Sequence, residues 1–79
     1  LQGKELFQVY PNPAHRMVRI IGPDSYEAEL LDLTGRSLGL FKPEYGKVNI
    51  NITSLYNGVY MVLLRHKEQQ FIRRIVVRN

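Results

Sequence analysis

The stretch Leu55-Tyr56-Asn57-Gly58-Val59-Tyr60-Met61-Val62-Leu63-Leu64-Arg65 constrains this chain more than any other. An Asn-Gly turn signal opens onto an unbroken run of β-branched, aromatic and aliphatic residues, the chemistry of a strand covered on both faces. Counting alternately from Gly58 puts Tyr60, Val62 and Leu64 on one face and Val59, Met61 and Leu63 on the other, so no register gives it a polar side. It is expected as the central strand. If Tyr60, Val62 and Leu64 fill the core, then Val59, Met61 and Leu63 form an outer face suited to a partner or to weak self-association. The competing reading is that long side chains on flanking strands cover them.

Shorter segments surround this run, at intervals of about ten residues and with no helical period among them. Residues 5–10 place Phe7 and Val9 on one face and stop at Pro11-Asn12-Pro13, where two prolines remove ladder donors and force a corner. Residues 17–21 point Val18 and Ile20 inward and Arg19 outward, and Gly22-Pro23-Asp24-Ser25 turns the chain. Residues 26–32 bury Tyr26, Ala28 and Leu30 against an outward Glu27 and Glu29. Asp32-Leu33-Thr34-Gly35 then suits a type I turn, with Gly35 free to take positive φ. Gly58 is expected to need similar freedom. Residues 36–42 should direct Leu38 and Leu40 inward, with Gly39 marking a bulge, before the loop Pro43-Glu44-Tyr45-Gly46. The cleanest alternation is residues 47–52, with Val48, Ile50 and Ile52 inward. His66-Lys67-Glu68-Gln69-Gln70 is a polar hairpin loop, and residues 71–78 form the last strand. Its Arg73-Arg74 pair puts a charge on each face. Either one Arg lies inward near an open edge, stem packed and head in water, or a bulge turns both outward; the edge reading is preferred. About seven strands of this kind make an all-β antiparallel sandwich.

At 79 residues the chain is a single domain with a modest core. It has no cysteine, so disulfides and thiolate metal sites are excluded. It starts at Leu1 rather than Met, shows no signal segment and has no apolar run near the roughly 20 residues of a membrane span, so it reads as a piece of a longer protein. Eleven Lys and Arg against seven Asp and Glu give +4, a balance that favours anionic partners. Catalytic signals are absent: His15 and His66 fall in separate loops, the carboxylates are scattered, the serines lack a nucleophile elbow, and no glycine-rich phosphate loop exists. No catalytic, cofactor or metal residue is assigned, and an enzyme is not expected. Asn51-Ile52-Thr53 matches a glycosylation acceptor, but Asn51 is already explained as an outward strand residue. A nucleic-acid surface needs exposed aromatics among its basic residues, and Tyr60 and Phe71 fit the core better, so none is expected.

Four stretches, in this order, resemble the type A C-terminal sorting domain of proteins exported by the bacterial type IX, or Por, secretion system. They are Val9-Tyr10-Pro11-Asn12-Pro13-Ala14; Leu30-Leu31-Asp32-Leu33-Thr34-Gly35-Arg36; Ile50-Asn51-Ile52-Thr53-Ser54-Leu55 leading into Gly58-Val59-Tyr60; and Phe71-Ile72-Arg73-Arg74-Ile75-Val76-Val77. Asn51 stands where the family often has Asp, Met61 where an aromatic is common, and Arg73-Arg74 where lysines are usual.

The resemblance implies an immunoglobulin-like sandwich of seven strands spanning residues 1–79 at the end of a secreted cargo protein. Tyr10, Pro11, Asn12, Pro13, Asp32, Gly35, Leu55, Gly58 and Tyr60 would be structural motif residues. Phe71, Ile72, Arg73, Arg74, Ile75, Val76, Val77 and Arg78 would carry recognition by the translocon. The implied partners are the type IX translocon and its shuttle proteins, a sortase-like signal peptidase and the attached cargo. The implied route runs through the periplasm to the outer membrane and cell surface, or to the medium. The alternative from the residues alone is an adhesion or carbohydrate-binding sandwich, for which Tyr45 and Tyr56 are the aromatic candidates.

Overall fold

The computed structural model describes residues 6–79, so the first residue of the expected opening strand, Glu5, lies outside the described residues. Seven strands follow: β1 (Gln8–His15), β2 (Met17–Ile21), β3 (Glu27–Leu31), β4 (Ser37–Phe41), β5 (Lys47–Asn51), β6 (Gly58–His66) and β7 (Gln69–Val77). They hydrogen-bond in the order β4-β3-β6-β7-β1-β2-β5. One sheet is β4-β3-β6-β7, the other is β1-β2-β5, and β1 belongs to both.

The apolar residues of alternating phase meet between these sheets. Val18, Ile20, Val48 and Ile50 come from one sheet, Ala28, Leu30, Val62, Leu64, Ile75 and Val77 from the other, and all are buried. Phe7 and Tyr26 close one end of this core edge to face, with ring centroids 4.9 Å apart. The Tyr26 hydroxyl donates to the Gly46 carbonyl at 3.0 Å. Burial raises that phenol's pKa, which keeps it a donor.

The apolar run is an interior strand as expected: β6 pairs with β3 on one side and with all nine residues of β7 on the other. Val62 and Leu64 are fully buried, while Val59, Met61 and Leu63 are half-buried. Their register neighbours are Val76 for Val59, Leu31 and Arg74 for Met61, and Glu29 and Ile72 for Leu63.

Turn chemistry follows the sequence closely. Asp32 Oδ1 accepts from Thr34 N at 2.9 Å, Thr34 Oγ1 at 2.6 Å and Arg36 N at 3.0 Å, and Gly35 N donates to Asp32 O at 3.0 Å with φ at 89°. Asn51 repeats this arrangement, its Oδ1 accepting from Thr53 N at 2.9 Å and Thr53 Oγ1 at 2.7 Å. A side-chain amide oxygen thus does what a carboxylate does, so Asn in place of Asp leaves the turn intact. At the β4–β5 turn, a Cβ on Gly46 would meet the Gly22 carbonyl oxygen at 2.6 Å, and its φ of 79° also requires glycine.

Two expectations need correction. Leu40 does not face the core; it is 57% exposed. Leu30 pairs with Gly39 but Leu31 pairs with Ser37, so an extra residue on β4 inverts the phase and brings Phe41 onto the core in its place. That is the bulge Gly39 announces. The opening strand also does not end at Pro11. β1 continues to His15, but its partner changes: Gln8, Val9 and Tyr10 pair with β2, and Ala14 pairs in parallel with Val77 of β7. The prolines therefore make a crossing between sheets rather than a strand end.

Candidate functional surface

β7 carries the terminal basic-apolar motif, and its register with β6 runs from Gly58 opposite Val77 to His66 opposite Gln69 without a bulge. Strict alternation follows. Phe71, Arg73, Ile75 and Val77 face the core side, and Ile72, Arg74 and Val76 face out. Arg73 is half-buried and Arg74 exposed, the geometry of the inward-and-outward reading. Arg73 Nη1 donates to the Ile72 carbonyl at 3.2 Å.

The other edge of β7 divides into two lengths. Near its end, Asn12 lays its carboxamide against the strand, Nδ2 donating to Arg74 O at 3.0 Å and Oδ1 accepting from Val76 N at 2.9 Å. Arg78 N donates to Ala14 O at 2.9 Å, and His15 Nδ1 donates to Arg78 O at 3.2 Å. Asn79 completes the closure: its N donates to Asn57 Oδ1, its Nδ2 to Ile52 O and Leu55 O, and its Oδ1 accepts from Arg16 N, all within 2.8–3.2 Å. The Tyr-Pro-Asn-Pro corner, the Ile-Asn-Ile-Thr-Ser-Leu entry and the terminal strand are thus brought to one place. Asn12 was expected as a structural motif residue but without these partners, and the bonds of Asn57 and Asn79 were not expected. The available signal was an Asn between two prolines, where the backbone has few ladder bonds and the side chain must supply them.

Upstream, alternation turns the backbone groups of Gln70 and Ile72, and the Arg74 N–H, to the same side as the Val76 N–H, away from β6. β1 is not beside them. Its only ladder pair with β7 is Ala14 with Val77. Ile72 is 58% exposed on the same stretch.

Charge is distributed unevenly over this outer sheet face. Arg65 Nη1 pairs with Glu27 at 3.0 Å and Arg65 Nη2 with Glu29 at 2.6 Å. Hydrogen bonds from Ser37 and Arg65 hold the Glu29 carboxyl below its ordinary range. Arg74, one strand over, makes no ion pair among the described residues.

The remaining motif residues are dispersed. Asp32 shares a cavity of about 360 Å³ with Arg36, Leu38, Ser54, Leu55, Tyr56 and Tyr60, where the Tyr60 hydroxyl donates to Tyr56 O at 2.7 Å. Gly58 opens β6 with φ at 154°. Tyr10 is partly exposed beside Arg19 of β2. Tyr45 and Tyr56 are 93% and 89% exposed, but they flank opposite ends of β5 and form no common platform. His15 and His66 each spend Nδ1 on a backbone carbonyl, that of Arg78 and that of Ser25.

The profile of a family described as the secretion system C-terminal sorting domain matches residues 8–78. No curated protein matches the chain in sequence. Among solved structures, PorZ, described as an essential bacterial surface component of the type-IX secretion system of Porphyromonas gingivalis, superposes over 92% of this chain with a TM-score of 0.78 at 23% identity. The chain spans 11% of that protein's length. At that identity the likeness establishes the fold alone, a seven-stranded all-β sandwich.

Proposed function

The chain belongs to the secretion system C-terminal sorting domain family, and from that membership we propose how its surface serves sorting in the type IX secretion system. It is a C-terminal sorting signal, directing the protein that carries it across the outer membrane to the surface or outside. In our reading, a cargo domain precedes it, the pair passes through the periplasm, and shuttle and translocon proteins bind the sorting domain as a folded unit before a sortase-like peptidase removes it. The domain contributes recognition and no catalysis.

One observation carries this reading: three motif stretches far apart in sequence converge on β7 through Asn12, Asn57 and Asn79. The terminal strand is therefore displayed on a rigid frame and not as a loose tail. Recognition then rests on the side chains and backbone that β7 leaves exposed, Ile72 and Arg74 first, with the inner residues Phe71, Ile75 and Val77 holding the strand in place. Val59, Met61 and Leu63, beside them on the same outer face, extend the surface available for a contact.

The test is a reporter fused ahead of residue 1 in a bacterium with a type IX system. The intact fusion should reach the surface, and a fusion lacking the domain should remain in the periplasm. Retention of the intact, folded fusion would reject the reading.

A further inference from the structure

Among the described residues, no strand lies in the lane beside β7 that β1 would fill if it ran straight. At Ala14, β1 is parallel to β7; traced backward it turns away at Pro13 and Pro11, and Tyr10, Val9 and Gln8 join β2 of the other sheet. Neither proline has an N–H to give to a ladder, so this segment is ill-suited to fill the lane itself. Asn12 occupies only its first position, its carboxamide standing in for one peptide unit against Arg74 O and Val76 N. Beyond it the Gln70, Ile72 and Arg74 N–H groups point into the lane, with no backbone partner there among the described residues.

We propose that this lane, opened by Pro11 and Pro13 and bounded by Asn12, is a strand-addition site for an extended acidic segment of an export partner. The proposal rests on the sorting-signal reading and names the chemistry of its partner.

Three features select that occupant. The edge is long and regular, in contrast to β4, which is five residues long and bulged. An added strand would place its side chains about 5 Å from Ile72 and Arg74, so it needs an apolar residue against the first and a carboxylate against the second. A second copy pairing in parallel and in register would instead set Arg74 against Arg74, and like charges oppose that pairing. The Tyr-Pro-Asn-Pro corner thus gains a role beyond folding: it turns β1 out of a lane that β1 could otherwise cover.

Proline substitution tests the lane selectively. The Ile72 N–H points away from β6, so Ile72→Pro removes a lane donor and leaves the β6–β7 ladder whole. The probe is a blocked synthetic hexapeptide of alternating valine and glutamate, with an alternating valine and lysine peptide as control. In an NMR titration of the full chain, the acidic peptide should shift the Gln70, Ile72 and Arg74 amides and the basic one should not. Ile72→Pro should stay folded, lose peptide binding, and cut surface delivery of the fused reporter at least about fivefold, the loss one net hydrogen bond implies. Should Ile72→Pro not fold, Gln70→Pro carries the same test; unfolding of both would show these donors to be in the native ladder and overturn the proposal. So would normal delivery by a folded proline variant, or a dimer abolished by Ile72→Pro with delivery unchanged, which would assign the lane to a second copy. Failure of the unsubstituted fusion to reach the surface would strike at the sorting reading instead.

Discussion

The two lengths of β7 lie on one strand, share one neighbour in β6, and differ on the other side. From Ile75 onward the strand is buried or bonded: Ile75 and Val77 are in the core, Val76 N meets Asn12, Arg78 N meets Ala14, and Asn79 meets four groups of the opposite loops. Among the described residues, β6 is the only strand that pairs with Gln69 to Arg74, Asn12 reaching just the Arg74 carbonyl, and the exposed side carries Ile72 and Arg74. The closed length is held on both sides, and in the proposed reading the open length supplies contact surface. A sorting signal needs both, since a strand that must be recognised gains by being held in one geometry beforehand.

Ile75→Ala against Ile72→Ala should separate the two lengths most. The first empties a fully buried site and should cost about 2–4 kcal/mol, whereas the second removes an exposed side chain and should stay within about 0.5 kcal/mol. Denaturant unfolding of the two variants checks this, and equal costs would erase the distinction. Asn12→Ala comes next. It strips two hydrogen bonds from the closed length and should cost about 1–2 kcal/mol, with faster amide exchange at Val76 and little change at Phe71.

Acid should act elsewhere, because the bonds made by Asn12 and Asn79 are amide bonds and do not titrate. Asp32 has its pKa lowered, first by the Thr34 hydroxyl and also by the Arg36 and Thr34 amides, and Glu29 has its pKa lowered by Ser37 and Arg65. Depressed carboxyl groups stabilise the fold above their unfolded value of about 4 and lose that contribution as pH falls through the lower folded value. Thermal melts from pH 5 downward should therefore fall. Asp32→Asn, which can keep the turn as Asn51 does, should melt close to the parent at pH 7 and show a shallower decline in acid. The smallest effect on stability should come from Arg74→Glu, within about 0.5 kcal/mol for an exposed residue without an ion pair. Reporter delivery is the sensitive readout there, and undiminished delivery would remove charge from the recognition account.

Much of the frame was legible because it rests on local chemistry. Alternation identified the inward residues of β2, β3 and β5, and the Asp32 to Gly35 turn formed as its residue types require. Leu40 was misplaced because one bulge residue reverses every side chain beyond it, and whether a glycine bulges is decided by the partner strand. The course of β1 was half legible. Two prolines announce a corner, but only tertiary packing decides that the chain crosses to the other sheet. The terminal strand was visible from its apolar residues, whereas its closure by Asn12 and Asn79 was not, since those bonds join residues between 22 and 64 positions apart.

Amide hydrogen exchange along β7, read residue by residue by NMR on the full chain, tests the division most directly. Phe71, Arg73 and Ile75 should be protected by β6, and Val76 and Arg78 by Asn12 and Ala14, while Gln70, Ile72 and Arg74 exchange near the rate of an open backbone. Protection of Gln70, Ile72 and Arg74 equal to that of Val76 would show the lane already filled, and the distinction between an anchored and an open length of β7 would be wrong.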